Sequence, residues 1–204
     1  MGTTVDHRRA PRRRGAALEQ AIFEATLAEL SEVGYLNLSM ERVAQRARTG
    51  NASLYRRWPT RAELVIEAIR HVAPDGAELP DTGGVRDDML ALLRGLCALQ
   101  AGQAGEVMRG VIAESVGNMR ANLARTRLAE ARTDQFLAVL RRGAEQGQVR
   151  KEAATPLLAG IAPALVMHHY LLHGAPPPDH RLLEIVDKVV MPLVTTAASP
   201  AVTS

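Results

Sequence analysis

Residues 46–65 read RARTGNASLYRRWPTRAELV, a stretch in which one short helix ends and two more begin. Residues 48–50, Arg-Thr-Gly, predict a break, and the glycine is an acceptable N-cap for the helix that follows. Residues 51–58, NASLYRRW, predict a helix of two turns. Leu54 and Trp58 are four positions apart in it, so they share one apolar face while most other positions are polar or basic.

A second helix follows this one almost at once. Pro59 ends the first helix, because a proline disfavours helical backbone angles in the residue before it. Thr60 and Glu63 then stand at the spacing of a capping box, in which each side chain accepts a hydrogen bond from the other residue's backbone N–H. A helix is therefore predicted from residue 61 to about residue 72.

Two further helices are predicted upstream. Apolar residues recur at helical spacing over residues 16–33, and Gly34 suits the left-handed position that follows a helix C-terminus. Ser39 precedes the segment MERVAQRA and is a predicted N-cap, with Glu41 in the first turn, where the helix dipole favours a carboxylate. The second helix is therefore predicted over residues 40–47.

The rest of the chain is also predicted to be helical. A stretch rich in Pro, Gly and Asp, APDGAELPDTGGV, marks a boundary after residue 72. Beyond it no run of alternating β-branched residues predicts a strand, and Thr155 and Gly174 frame one long helix as its N-cap and its terminal glycine. The fold class is predicted to be all-α, with further helices over about 85–101, 104–117, 120–147, 156–173 and 180–197.

Composition excludes several classes of protein. The 204 residues, 47% of them hydrophobic, are enough to bury a substantial core. Cys97 is the single cysteine, which excludes an intramolecular disulfide framework and cysteine-based zinc motifs. The cationic first residues lack the leucine-rich run of a secretion signal, and no stretch approaches the roughly 20 apolar residues of a membrane span. A cytoplasmic protein without a cofactor is expected.

Positive charge is concentrated in the first third of the chain. Residues 1–72 contain twelve arginines against eight acidic residues, a net charge of +4, whereas residues 73–204 carry a net charge of −1. This asymmetry favours a polyanionic partner. Nucleic acid is favoured over a membrane surface, because no basic amphipathic helix rich in Trp or Phe is present. For the basic flexible arm over residues 1–15, the alternative is a solvated tail.

The helices over 40–47 and 51–58 predict a helix-turn-helix, in which the second helix enters the major groove of DNA. The apolar residues that would be buried are Val43, Ala44, Ala47, Leu54 and Trp58. The residues that would face the groove are Asn51, Ala52, Ser53, Arg56 and Arg57. Those that suit the phosphate backbone are Ser39, Arg48, Tyr55 and Arg61. The alternative is a small helical bundle with core aromatics and a solvated arginine face.

The order of these residues resembles the N-terminal domain of the TetR family of transcriptional regulators over residues 16 to about 70. The matching segments are Gly34-Tyr35, Ser39-Met40-Glu41, Val43-Ala44, Leu54-Tyr55-Arg56 and Trp58-Pro59-Thr60-Arg61. The resemblance implies phosphate contacts by Ser39, Tyr55 and Arg61. It implies that the residues near the bases are Asn51, Ala52, Ser53 and Arg56. The chain departs from the family at Arg48, where glycine is usual and where a left-handed arginine would be strained.

The last two predicted helices are strongly apolar. The helix over 156–173 is apolar on most sides, and the helix over 180–197 places on overlapping faces Leu182, Leu183, Val186 and Val190. Two copies of this pair could form a four-helix bundle across a two-fold axis. The resemblance implies a homodimer of the same kind. The alternative is an ordinary core within one chain.

The resemblance also implies a ligand cavity, whose occupant shifts the dimer between DNA-binding and non-binding states. Methionine and cysteine side chains suit apolar ligands because they adapt to irregular shapes. The predicted lining is Met89, Leu93, Cys97, Met108, Ile112, Phe136, Met167 and Tyr170. Each of these residues has plain core packing as its alternative.

No pattern supports catalysis or a metal site. The sequence lacks a Gly-rich phosphate loop and a nucleophile elbow. His168, His169 and His173 lie close in sequence, but no acidic residue accompanies them at ligand spacing in their helix. The prediction is a dimeric repressor released by a small apolar ligand, with residues 16–72 binding operator DNA and residues 73–204 binding the ligand and the partner copy. A ligand-independent DNA-binding regulator and a small all-α enzyme or carrier are the alternatives.

Overall fold

The computed structural model describes residues 15–72 and 79–195, so residues 1–14 of the predicted arm lie outside the described part. The chain divides into two compact units, residues 1–72 and 73–204. Within the described ranges every regular element is helical, which confirms the all-α class. None of the helices in those ranges is long and apolar enough to cross a membrane.

The helices of the N-terminal unit are α1 Ala16–Asn37, α2 Met40–Arg46, α3 Asn51–Arg57 and α4 Arg61–Val72. The predicted end of the first helix before Gly34 is confirmed as a kink, and a short helical segment that was not predicted follows the kink and extends to Asn37. Gly34 itself has φ 74° and ψ 172°, so the expected break does occur at this glycine. Glycine adopts such a positive φ readily because it has no Cβ.

Side-chain caps begin α2 and α4 where the sequence predicts them. The Ser39 side chain accepts a hydrogen bond from the backbone N–H of Arg42. Glu63 N–H donates to Thr60 Oγ1 at 3.1 Å, and Thr60 N–H donates to Glu63 Oε2 at 3.3 Å. These bonds satisfy N–H groups that the first turn of a helix leaves without partners. Local chemistry therefore sets the start of both helices.

The interior of the N-terminal unit is built around Trp58. Its ring meets the ring of Phe23 edge to face, with 5.5 Å between centroids. Its indole N–H donates to Glu67 Oε2 at 2.6 Å, so the one polar atom of this buried side chain has a hydrogen-bond partner. The predicted apolar set is confirmed as buried: Val43, Ala44, Ala47, Leu54 and Trp58.

The helices of the C-terminal unit are α5 Val85–Ala101, α6 Gln103–Ser115, α7 Met119–Glu145, α8 Pro156–His173, α9 Asp179–Ile185 and α10 Met191–Val194. A short 3-10 turn at Lys151–Ala153 precedes α8. Thr155 caps α8 by accepting from the N–H of Leu158 at 3.3 Å. Gly174 ends it in the left-handed conformation, with φ 70°. Both ends of α8 are thus as predicted.

The last predicted helix is not a single α-helix. A π-helical turn over Val186–Val190 joins α9 to α10. Pro192 accounts for this turn, because proline has no N–H and its ring collides with the carbonyl four residues earlier, that of Lys188. The prediction of one α-helix over residues 180–197 was therefore wrong, and its last two positions lie outside the described residues.

The apolar stripe of α9, which we expected to face a second copy, instead faces the interior of its own unit. Leu182, Val186 and Val190 are at most 2% exposed and belong to one core with residues of α5, α7 and α8. Leu183 is half-buried against the same core. These side chains are covered within the chain because α9 and the π-helical turn pack on α5 and α8. For this stripe, the ordinary intrachain core is the correct interpretation.

Asp88 ties the start of α5 to α7. Its carboxylate is 2% exposed and accepts hydrogen bonds from the Thr82 backbone N–H and hydroxyl, both at 2.8 Å, and from Arg142 at 2.7 Å. Burial alone would raise the pKa of Asp88. The bonds from Thr82 and Arg142 outweigh burial, so this pKa lies below its usual value.

Candidate nucleic-acid interface and internal cavity

The turn between α2 and α3 depends on an unusual backbone conformation. Arg48 has φ 54° and is the only non-glycine residue of the described ranges with a positive φ. Gly50, with φ −86° and ψ 142°, is the N-cap of α3. The left-handed Arg48 is strained because its Cβ approaches the following carbonyl oxygen. Its exposed side chain makes no hydrogen bond or ion pair with any described residue.

Helix α3 has one buried face and one exposed face. Leu54 is fully buried beneath it. The exposed residues are Asn51, Ala52, Tyr55, Arg56 and Arg57, and Ser53 is half-buried. The guanidinium of Arg56, like that of Arg48, has no hydrogen-bond or ion-pair partner in the described part of the chain. The structure therefore presents the predicted groove residues together on a helix whose underside is anchored in the core.

Ser39 and Tyr55 meet at one carboxylate. The Ser39 hydroxyl donates to Glu41 Oε2 at 2.8 Å, and the Tyr55 hydroxyl donates to Glu41 Oε1 at 3.1 Å. The bond from Ser39 is the largest cause that lowers the pKa of Glu41. Burial, followed by the bond to Glu41, raises the pKa of Tyr55. Both hydroxyls therefore donate to the same carboxylate, so Ser39 and Tyr55 are held side by side at the start of α2.

Two of the predicted DNA-contacting arginines are engaged inside the unit. Arg61 donates to the carbonyl oxygens of Tyr35 at 3.1 Å and Leu36 at 3.0 Å. Its guanidinium also lies 4.5 Å from the centroid of the Tyr35 ring. Arg57 Nη1 lies 3.2 Å from Glu19 Oε2. Arg61 thus joins the start of α4 to the end of α1, in addition to any role at the DNA.

A cluster of ion pairs around the buried Glu29, which was not predicted, holds α2 on α1. Glu29 is 2% exposed and accepts a hydrogen bond from Arg42 Nε, and its other oxygen lies 3.5 Å from Arg46. Arg46 also makes a two-bond contact with Glu32. The signal in the sequence is that Glu29 lies seven residues after Ile22, on the apolar face of α1. A carboxylate there needs a cationic partner.

The C-terminal unit contains a cavity of about 250 Å³ between α5, α6, α7 and α8. Of the eight predicted lining residues, the structure places three at the cavity: Met108, Ile112 and Met167. Three others lie in the core: Met89, Leu93 and Phe136. Tyr170 is fully buried and accepts a hydrogen bond from Arg109, and Cys97 is half-buried against the core.

Most residues that line the cavity were not predicted. The apolar ones are Leu96, Leu128, Ala129, Gly160, Pro163, Ala164 and Leu171. The polar ones are Arg125, Arg132 and Thr133, all on α7. Burial lowers the pKa of Arg132, because a charged guanidinium loses hydration there. The spacing of Arg125 and Arg132, seven residues, was the available signal, since it places both on one face of α7.

Comparison with known proteins identifies the chain. Residues 22–68 match the family described as "Bacterial regulatory proteins, tetR family", and residues 79–189 match "Tetracyclin repressor-like, C-terminal domain". A helix-turn-helix transcriptional regulator of Mycobacterium tuberculosis is 31% identical over 182 residues, which cover 87% of this chain and 88% of that protein. The chain belongs to the TetR family.

Two further TetR-type proteins are similar to this chain over nearly its whole length. The DNA-binding transcriptional repressor TetR of Mycobacteroides abscessus is 30% identical over 190 residues, covering 91% of this chain and 98% of that one. The crystal structure of the TetR family transcription regulator SCO0332 superposes with a TM-score of 0.73 at 25% identity, covering 85% and 96%. These relatives are regulators and not enzymes. The chain is a DNA-binding transcriptional regulator of the repressor type.

In this TetR-family chain a groove runs along α8 and α9. Its apolar residues are Leu165, Leu172, Ile185 and Val189, and its titratable ones include His168, His169 and His173. The rings of His169 and His173 lie 4.3 Å apart between centroids. Burial, then the neighbouring cationic groups, lowers the pKa of His169. Among the described residues no group of three His, Cys, Asp or Glu side chains could hold a metal ion.

Proposed function

We propose that the chain is a dimeric repressor that reads a two-fold symmetric operator with α3 and leaves it when a small molecule fills the cavity of the C-terminal unit. Residues 16–72 act as the DNA-binding domain, and residues 73–204 bind the ligand and the partner copy. The observation that carries this proposal is α3 itself. Its polar and basic face is exposed apart from the half-buried Ser53, while Leu54 and Trp58, four residues further on, are buried in the core.

The proposed contacts divide into two kinds. Asn51 and Arg56 read base edges, with Ala52 and Ser53 close enough for apolar or hydroxyl contacts. The residues that hold the phosphate backbone are Ser39, Arg48, Tyr55, Arg57 and Arg61. Support comes from the exposed, unpaired guanidinium groups of Arg48 and Arg56 within the described chain, and from the two hydroxyls that already converge on the carboxylate of Glu41.

Selection from random duplex DNA tests the reading function. The selected sites should be two-fold symmetric and their binding should weaken as salt is raised, because phosphate contacts release counterions. Asn51→Ala should lose preference at one position per half-site, by about 1–3 kcal/mol. Tyr55→Phe removes a single hydroxyl and should weaken binding to all sequences alike. A uniform loss for Asn51→Ala would contradict the proposed division.

Dimerisation is proposed through the groove on α8 and α9. Leu165 and Leu172 line this groove and are 38% and 66% exposed, and Ile185 lies in its floor. Exposed apolar residues gathered in one groove mark a surface that another molecule covers, and a two-fold partner covers it with the same surface. The stripe Leu182, Val186 and Val190 does not contribute, because it is buried within the chain.

Sedimentation velocity of the full chain tests this interface. Leu172→Glu should shift the chain from dimer to monomer, because it places a charge in the apolar contact. Leu123→Glu is the matched control, since Leu123 is 49% exposed on α7 and lies outside the groove. If both variants sediment as the wild type does, the dimer is formed elsewhere.

Release by a ligand is proposed from the cavity and from the match to the tetracyclin repressor-like C-terminal domain. A transcriptional regulator from Saccharomonospora viridis with a similar fold, TM-score 0.58 at 18% identity, is known in complex with choline. A compound that binds the folded chain raises its melting temperature. Compounds found in this way should also dissociate the chain from its selected operator in a fluorescence anisotropy titration. A regulator that ignores all such compounds would be ligand-independent.

A further inference from the structure

The polar side chains of the cavity are unbalanced in charge. Arg125, Arg132 and Thr133 are the polar residues at its wall, and among residues 15–72 and 79–195 no carboxylate lines it. Arg125 Nη2 donates to Asn122 Oδ1 at 2.8 Å, which is a neutral acceptor and leaves the positive charge uncompensated. The Thr133 hydroxyl donates to the carbonyl of Ala129 in its own helix. The wall formed by α7 is therefore cationic, and the facing walls are apolar.

Arg132 has no partner for its guanidinium. No hydrogen bond or ion pair joins its side chain to any residue of the described ranges, although it is only partly exposed. The positions one turn away on α7 are occupied by Leu128, Ala129, Gln135 and Phe136, none of which is acidic. A partly buried cation without an anion is unfavourable in the folded chain, since part of its hydration is lost. Such a group is retained at a cavity wall when the anion comes from a ligand.

The apolar walls determine what accompanies the anion. Met108 and Ile112 from α6, and Met167 and Leu171 from α8, line the space around the two arginines. A guanidinium offers two parallel N–H groups that match the two oxygens of a carboxylate. We infer that the cavity binds a small organic carboxylate, with the carboxylate on Arg132 and the hydrocarbon body between α6 and α8. The further step, that this carboxylate is the ligand that releases the chain from DNA, rests on the proposed function.

Three ligands with one tail and different head groups test the chemistry. Octanoate, 1-octanol and octylamine share a hydrocarbon body, and calorimetric titration of the full chain gives the affinity of each. Octanoate should bind at least about ten-fold more tightly than 1-octanol, because the charged hydrogen bonds to Arg132 form only with the acid. Octylamine should bind more weakly than either, since its ammonium meets two cations.

Variants of Arg132 test the residue. Arg132→Met keeps an unbranched apolar side chain without the guanidinium and should lose at least about ten-fold in octanoate affinity, with 1-octanol unaffected. Arg132→Lys should retain part of the preference for octanoate over 1-octanol, because lysine keeps the positive charge but lacks the two parallel N–H groups of the guanidinium. Arg141→Met is the control, because Arg141 is an exposed arginine on the same helix outside the cavity.

A second variant tests the location without touching charge. A Cβ added at Gly160 would meet only the Thr133 methyl group, at 3.9 Å, so Gly160→Leu can fill the cavity without a backbone clash. It should abolish octanoate binding. Ligand-free Arg132→Met should melt at or above the temperature of the wild type, since it removes an unpaired buried charge. A lower melting temperature for this variant would show that Arg132 is a structural cation and would overturn the inference.

The outcomes separate this inference from the proposed function. If octanoate binds through Arg132 but leaves the operator complex intact, the carboxylate site is supported, and the proposal that a ligand in this cavity releases the operator is contradicted. If the acid and the alcohol bind equally, or if octanoate does not bind the wild-type chain at millimolar concentration, the inference is wrong. A ligand of other chemistry could then still release the repressor.

Discussion

Replacing Arg48 with glycine separates two roles that the wild-type residue combines. Arg48 holds φ 54°, which for a residue with a Cβ costs about 1–2 kcal/mol. Glycine removes this strain but gains backbone entropy in the unfolded chain, which costs roughly 0.5–1 kcal/mol. The side chain makes no hydrogen bond or ion pair with the described residues that the substitution would lose. The net expectation is a stabilisation of about 0–1.5 kcal/mol, and its midpoint of about 0.75 kcal/mol corresponds to a rise of roughly 2–3 °C in Tm.

The same substitution should weaken DNA binding. Arg48 lies at the turn before α3, where its charge is proposed to meet a phosphate. Loss of one phosphate contact lowers the slope of log K against log salt by about 0.9 for each protomer. Fluorescence anisotropy with the selected operator over a salt series measures this slope, and differential scanning calorimetry measures Tm. Arg48→Gly should therefore be more stable and bind less tightly.

Arg48→Ala is the matched control for both effects. Alanine removes the charge but keeps the Cβ, so the strain remains and no stabilisation is expected, while the loss in salt slope should equal that of the glycine variant. The reasoning is refuted if alanine and glycine melt at the same temperature. It is refuted equally if both variants keep the salt slope of the wild type, because Arg48 would then not contact phosphate.

Three further predictions concern the C-terminal unit. Gly143→Ala should destabilise the folded chain by about 1–3 kcal/mol, because the added Cβ would lie 2.1 Å from Val85 Cγ2. Gly95→Ala is the control: it has open space around it in α5 and should be neutral or stabilising, and thermal melts compare the two variants. Gln100→Leu should raise the stability by about 1–2 kcal/mol in urea titrations, because both amide atoms of Gln100 are buried without a hydrogen-bond partner in the described chain; a lower stability would contradict this. The bonds from Thr82 and Arg142 lower the pKa of Asp88 in the folded chain. The stabilisation by Asp88 is therefore present above the unfolded pKa of about 3.9 and is lost as pH falls through the lower folded pKa. Asp88→Asn should lower the free energy of unfolding by about 3 kcal/mol at pH 7, and unfolding curves should show that this difference shrinks below about pH 4.

The helix-turn-helix was predictable because its determinants are local. Ser39, Thr60 and Glu63 set helix starts through bonds that span three residues. Leu54 in α3 and Trp58 just after it are four residues apart, so helix geometry alone puts both side chains on the buried face. The left-handed position at Arg48 is the exception, because only the resemblance, in which glycine is usual there, pointed to it before the structure gave φ 54°.

The cavity was predictable in kind but not in its members. Met89 and Leu93 on α5 face the core, whereas Met108 and Met167 face the cavity, although all four are apolar residues on amphipathic helices. Which apolar face meets a neighbour and which meets a void depends on the rotation of each helix against the others. Arg132 was missed for the same reason, since an arginine on a long helix ordinarily faces water.

The order of residues along the chain was enough for most of its helices, its buried tryptophan and the exposed polar face of α3, because caps, turns and helical periodicity act over a few neighbouring positions. Long-range packing settled the rest. The burial of Glu29 beneath α2, the inward turn of the α9 stripe and the placing of an unpaired Arg132 at an apolar cavity all depend on contacts between residues far apart in sequence. Such contacts follow from how whole helices fit together, which no short segment specifies.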